Sequence, residues 1–269
     1  MDARSESGHV MLISPERVFY AGLLGRPRNR STGSVLIYVG LGGQLALTCE
    51  GRSETGLPLA FIPPFVEHTI TSDARSSLCF TVEPESVTPA ALDLLARRAT
   101  EQGPALAERI CAAYLRLRMA GGCDGFTTEE LDTIVLGAPL ARRRLDARIV
   151  EAVGRLNDFS RPAATAADCA AAARLSQSRF LHLFKQQTGV SFRAFRAHKR
   201  ARHLLHFVNE DLNFAHLAQD IGYPDSTHFC HSIRRFYGLK PGAIFSGSRD
   251  LRIYRSASQP DATAIAALA

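Results

Sequence analysis

The chain has 269 residues, more than one typical domain holds and enough for two. Apolar residues make up 46% and charged residues 22%, which excludes a disordered chain, and no apolar run reaches the ~18 residues of a membrane span. The net charge of +6 is unevenly divided: residues 1–140 hold 12 basic against 16 acidic side chains, residues 141–269 hold 20 against 10, so only the second half suits a polyanionic partner.

The polar start MDARSESGHV lacks the apolar stretch of an export signal. The six scattered cysteines form no C-x-x-C pair and read as reduced thiols, so a soluble, cytoplasmic protein is expected. Residues 9–83 read as short strands at Val10–Ile13, Val18–Leu24, Ser34–Val39, Gln44–Cys49, Pro58–Ile62 and Leu78–Val82, separated by Gly and Pro turns. Turns at this spacing predict a small sandwich or barrel. The Gly25–Gly33 stretch, with three arginines, reads as a solvated loop.

From Thr88 the period changes. Helices are expected at Pro89–Glu101, Pro104–Ala120 and Thr128–Leu136. The stripe Leu106, Ile110, Ala113 and Leu117 must be buried against its own domain or against a second copy, and a homodimer is one expectation. Gly137–Arg144 breaks the pattern and then turns basic. The expected organisation is a sensing or dimerising domain over 1–136, a linker over 137–145, a DNA-binding domain over 146–255 and a frayed tail over 256–269.

The basic half repeats itself. Arg174–Val190 superposes on Tyr223–Leu239 at an offset of 49 residues, pairing Phe180 with Phe229, His182 with His231, Lys185 with Arg234 and Gly189 with Gly238. Each copy follows a short helical stretch and a tight turn, which makes a duplicated helix-turn-helix. With Phe180, Leu183 and Phe184, and then Phe229, Ile233 and Phe236, turned inward, the outward residues are Ser178, Arg179, His182 and Lys185, and Ser226, Thr227, His231 and Arg234. Hydroxyls, imidazoles and guanidinium groups at those places reach base edges and phosphates. The connecting stretch Ser191–Val208 reads as one helix of about 27 Å, with Lys199 and Arg200 among its phosphate-facing charges.

Two runs carry a family resemblance: Leu175-Ser176…Phe180-Leu181…Leu183-Phe184-Lys185…Thr188-Gly189-Val190-Ser191-Phe192, and Leu217-Ala218…Ile221-Gly222-Tyr223…His228-Phe229…Phe236-Tyr237-Gly238…Pro241. Together they resemble the C-terminal domain of AraC/XylS-type transcription regulators. The resemblance implies an α+β two-domain chain: a small cupin-like β-barrel or sandwich with flanking helices, then an all-α domain with two helix-turn-helix motifs. It implies an operator of double-stranded DNA as partner, contact with RNA polymerase, an activator role, a homodimer and control by a small-molecule effector; no cofactor and no membrane partner are expected from the composition and motifs. Arg174 stands where the family usually has glycine, which predicts a differently shaped first turn. Phe61–Ile70 resembles the Pro…His step of cupin-like domains and nominates His68 and Phe61 for an effector pocket. A metalloenzyme with a DNA-binding tail is the alternative, although the first half has only His9 and His68 as imidazole ligands.

Overall fold

The computed structural model describes residues 8–119, 123–159 and 164–257. The N-terminal half holds eight strands in two sheets: β1 (Val10–Ile13), β2 (Arg17–Leu23), β3 (Val35–Gly40), β4 (Leu45–Cys49), β5 (Arg52–Leu57), β6 (Leu59–Ile62), β7 (His68–Ser72) and β8 (Ser76–Val82). Three helices follow, α1 (Pro89–Glu101), α2 (Gly103–Met119) and α3 (Thr128–Leu136). The larger sheet has the order β6-β3-β8-β2-β1-β9, where β9 is Arg252–Arg255 from the far end of the chain; the smaller is β5-β4-β7.

Side-chain alternation explains why the larger sheet is apolar on both faces. Val10 and Leu12 of β1, with Val35, Ile37 and Val39 of β3, pack against α1–α3. Met11 and Ile13 between them pack into the C-terminal domain, while Leu36 and Tyr38 pack toward the smaller sheet. The α2 stripe is spent within the chain: Leu106, Ile110 and Ala113 are fully buried in the same core as Leu12 and Ile37. This is the intradomain alternative, and it removes the stripe as a reason to expect a dimer there. A buried pair adds to this packing, with Arg17 Nε donating to Asp132 Oδ1 at 2.7 Å and Nη2 to Oδ2 at 2.9 Å, which fixes α3 to β2.

The C-terminal half comprises α4 (Ala147–Asn157), α5 (Ala166–Ala172), α6 (Gln177–Thr188), α7 (Phe192–His203), α8 (Phe214–Asp220), α9 (Ser226–Tyr237) and α10 (Pro241–Gly247). The single connecting helix expected over Ser191–Val208 is shorter: α7 ends at His203 and gives way to a 3₁₀ turn at Leu204–His206. Its 12 residues span about 18 Å rather than 27 Å. The stretch expected to close the DNA-binding domain before residue 256 holds β9, whose Arg252–Arg255 run parallel to Val10–Ile13, while the tail expected to fray over 256–269 lies outside the described residues from 258 onward. The open edge of β1 supplies the backbone partners, and Ile253 and Tyr254 pack on opposite faces of the sheet.

Candidate nucleic-acid interface

Both motifs are built by the same local chemistry. Thr165 and Asp168 form the reciprocal capping box of α5, and Ser176 caps α6 by accepting from the Arg179 N–H. In the second motif Asn213 caps α8 and Asp225 caps α9 through the His228 N–H. Gly189 and Gly238 close α6 and α9 in the left-handed conformation, at φ 82° and 69°.

The repeat has two offsets. The supporting helices align at 48 residues, since Leu175 N–H donates to Ala170 O as Tyr223 N–H donates to Ala218 O. From the caps Ser176 and Asp225 onward the offset is 49. The second turn is therefore one residue longer, and its extra residue lies between Tyr223 and the cap Asp225, at Pro224. This changes the reading of Arg174. It is equivalent to Gly222, not to Tyr223, and it adopts the same left-handed backbone, φ 53° against 81°. The first turn thus keeps the glycine-type geometry without glycine, at a steric cost of about 1–2 kcal/mol.

Phe180 and Phe184 are fully buried beneath α6, as are Phe229 and Ile233 beneath α9, while Leu183 is only half-buried. Ser178, Arg179, His182 and Lys185 on α6 are exposed, and so are Ser226, Thr227, His231 and Arg234 on α9. Each motif therefore offers an uncovered polar face on a helix held from behind by aromatic packing (Phe184 meets Phe192 and Phe195 edge-on at 5.3 Å).

Lys199 and Arg200 depart from expectation. Lys199 is 2% exposed and faces the N-terminal domain instead of solvent, with Nζ 2.5 Å from Glu83 Oε2 and 2.6 Å from Glu85 Oε1. Arg200 is half-buried beside Arg196 and Arg155 in a crevice between α4, α7 and α8. Glu83 itself is fully buried and gathers the inner side of α7. It accepts from Ser34 Oγ at 2.6 Å, and the Arg202 guanidinium lies 3.0 Å away. His198 accepts the Gly33 N–H at Nδ1 (3.1 Å), so its Nε2 carries the proton and donates to Glu83 at 3.1 Å. Lys199, His198 and Arg202 together hold the Glu83 carboxyl well below the usual carboxylate range, against the opposing effect of burial. No local signal separates these α7 residues from the outward Arg193; the pair Glu83 and Glu85 beside apolar Val82 was the available hint.

A second feature lies between the domains. A cavity of about 230 Å³ is walled by Tyr20, Leu36 and Tyr38 on one side and by Phe236, Ile244 and Leu251 on the other. Arg30 enters it, 8% exposed, with its guanidinium 5.0 Å from the Tyr38 ring centre and Nη1 on Tyr237 O at 3.4 Å. Its Nε and Nη2 are buried and have no hydrogen-bond partner among the described residues. His68 and Phe61, expected in the pocket, do not line it. His68 is buried with Nδ1 donating to Val66 O at 3.0 Å, and burial lowers its pKa to about 4; Phe61 packs against the helical face of the sheet. The sequence offered no reason to prefer Arg30 over its neighbours Arg26 and Arg28.

Residues 169–246 match the family model of a helix-turn-helix domain. No curated relative matches the sequence. Among solved structures, ToxT from Vibrio cholerae O395 superposes with a TM-score of 0.53 at 11% identity, covering 87% of this chain and 98% of ToxT. ToxT bound to (E)-4-(8-methylnaphthalen-1-yl)but-3-enoic acid gives 0.51 at 11% identity, covering 86% and 98%. The DNA-binding domain of AdpA in complex with a target DNA covers 39% of this chain and 95% of that domain, at 19% identity and a TM-score of 0.36. Residues 169–246 are thus an AraC-type helix-turn-helix domain, carried on the two-domain fold that ToxT shares.

Proposed function

We propose that the chain is a sequence-specific DNA-binding transcription regulator whose α6 and α9 read the major groove of an operator. One observation carries this: two uncovered polar faces recur at the same positions on two aromatic-backed helices, in the half of the chain that bears the positive charge. The residues assigned to contact are Ser178, Arg179, His182 and Lys185 on α6, with Ser226, Thr227, His231 and Arg234 on α9; Lys199 is withdrawn from the set because it is buried. Binding of the full chain to duplexes selected from randomised DNA tests the reading. Affinity should fall steeply with salt, with a log–log slope of several units, and His231→Ala with Arg234→Ala should relax the selected sequence by roughly 1–3 kcal/mol per base contact. Salt-independent binding overturns it.

The N-terminal domain is read as the effector domain of an activator. The support is the cavity between the domains and the unpaired Nε and Nη2 of Arg30, because a buried guanidinium with two nitrogens lacking acceptors favours a ligand that brings an acid group. An apolar molecule with one carboxylate fits those walls, and one ToxT structure holds an apolar carboxylic acid. Thermal shift with medium-chain carboxylates against the matching alcohols tests it: the acids should stabilise the protein, and Arg30→Met should abolish the difference. Homodimerisation and contact with RNA polymerase belong to the same reading. Among the described residues no group of three or more His, Cys, Asp or Glu side chains is placed to hold the metal ion that the metalloenzyme alternative needs.

A further inference from the structure

The loop from Gly25 to Ser31 is fastened to the end of the second recognition helix. Arg28 N–H donates to Gly238 O at 2.9 Å and Ser31 N–H to Arg235 O at 3.0 Å, while Arg30 supplies the contact to Tyr237 O. Three carbonyls at the C-terminal end of α9, which the helix itself leaves without donors, are thereby satisfied by another domain. The approach is backbone to backbone: a Cβ on Gly238 would lie 2.4 Å from Arg28 O. At its base the loop is tied to β7, where Arg30 and His68 exchange both backbone hydrogen bonds at 2.9 and 3.0 Å. The loop therefore sits at a fixed place on α9.

This placement assembles a charged surface. Arg26 and Arg28 of the loop are exposed, as are Arg234, Arg235 and Lys240 at and just beyond the end of α9. None of the five has an ion-pair partner among the described residues. The loop contains no acidic residue, and the neighbouring Glu67 holds Asn29 Nδ2 at 3.0 Å. The N-terminal half is otherwise net acidic, so two free guanidinium groups beside a recognition helix are the part of it that fits a polyanion.

We propose that the Gly25–Ser31 loop is a DNA-contacting element of the N-terminal domain. Arg26 and Arg28 meet backbone phosphates flanking the groove that α9 occupies. The inference rests on the DNA-binding reading above and extends the footprint of the second motif outward by two phosphates. It makes the N-terminal domain part of the DNA interface rather than a remote controller.

The test uses the full-length protein, a duplex recovered by selection from randomised DNA, and affinity as a function of salt. Each lost phosphate contact lowers the log–log slope by about one, so Arg26→Gln with Arg28→Gln should reduce it by about two and leave base preference unchanged. Arg97→Gln with Arg116→Gln, two exposed charges on α1 and α2, serves as the control for net charge and should leave the slope unchanged. Trimming the duplex on the α9 side should reduce the wild-type slope to that of the loop variant and leave the variant's slope where it was. A wild-type slope in the loop variant overturns the loop contact while leaving the DNA reading intact, and so does an equal loss in the control. Salt-independent binding by the wild type overturns both.

Discussion

Replacing Glu83 by glutamine removes one negative charge from the point where the N-terminal domain grips α7. The cluster is balanced as it stands, with Glu83 and Glu85 against Lys199 and Arg202, and His198 neutral by its hydrogen bonding. Glutamine leaves it one positive charge in excess inside a buried interface. Deleting one partner of a buried ion pair costs about 3–5 kcal/mol. Lys199 retains Glu85 at 2.6 Å, and Arg202 retains the Ser14 and Arg17 carbonyls at 2.5 and 2.9 Å, which places the loss at about 3 kcal/mol. For a chain of this size that corresponds to a melting temperature lower by roughly 6–12 °C at pH 7. The pH dependence has a definite sign. Because the folded-state pKa of Glu83 is depressed, its contribution is complete above the ordinary glutamate value of about 4.3 and is lost as pH falls through the folded value. The gap between wild type and Glu83→Gln should therefore narrow below about pH 4. Thermal unfolding across pH measures this, and hydrogen exchange on α7 reports whether the loss is local to the interface. An unchanged or raised melting temperature would refute the reasoning, because desolvation of the carboxylate would then outweigh its contacts with Lys199, Arg202 and His198.

Three other outcomes follow from particular residues. Arg174→Gly should raise the melting temperature by roughly 1–3 °C, since relief of the left-handed backbone exceeds the added chain entropy by about half to one kcal/mol; a drop would show that the arginine side chain supports the turn. Ile110→Ala should cost about 2–5 kcal/mol and leave the sedimentation mass of the folded protein unchanged, whereas a change of mass at constant melting temperature would return the α2 stripe to a chain–chain contact. Asp132→Asn should cost about 3–5 kcal/mol by leaving Arg17 buried and half-paired, and wild-type stability in a thermal melt would contradict that assignment.

The helices were legible because their signals are local. Pro89, the Thr127–Glu130 capping box and the Gly137 cap bound α1 and α3 where the sequence alone places them. The duplicated motif was legible for the same reason, through caps, aromatic stripes and closing glycines. Strand β5 was not, because Arg52–Leu57 is exposed along nearly its whole length and shows no alternation. Nor was β9, a four-residue strand that exists only because β1 offers it an edge. The extra residue at Pro224 was hidden because a single constant offset fits every aromatic pair downstream of it. The site was half legible. The outward faces of α6 and α9 follow from helical periodicity, but the burial of Lys199 depends on Glu83, 116 positions away. Contacts that distant leave no periodic trace.

Strand β9 also bears on how the molecule is made. The edge of β1 is synthesised among the first residues of the fold, yet its parallel neighbour is the last described element, with Val10 aligned to Arg252. During translation the N-terminal sheet therefore waits with an unpaired edge while the whole helical domain emerges. Such an edge is a place where nascent chains on neighbouring ribosomes can pair wrongly. The charged Arg252 and Arg255 limit the attraction of β9 for other edges until its own is within reach. The sheet closes only after residue 255 has left the ribosome, so a message truncated ahead of codon 252 yields a chain with both domains and an unsealed seam between them.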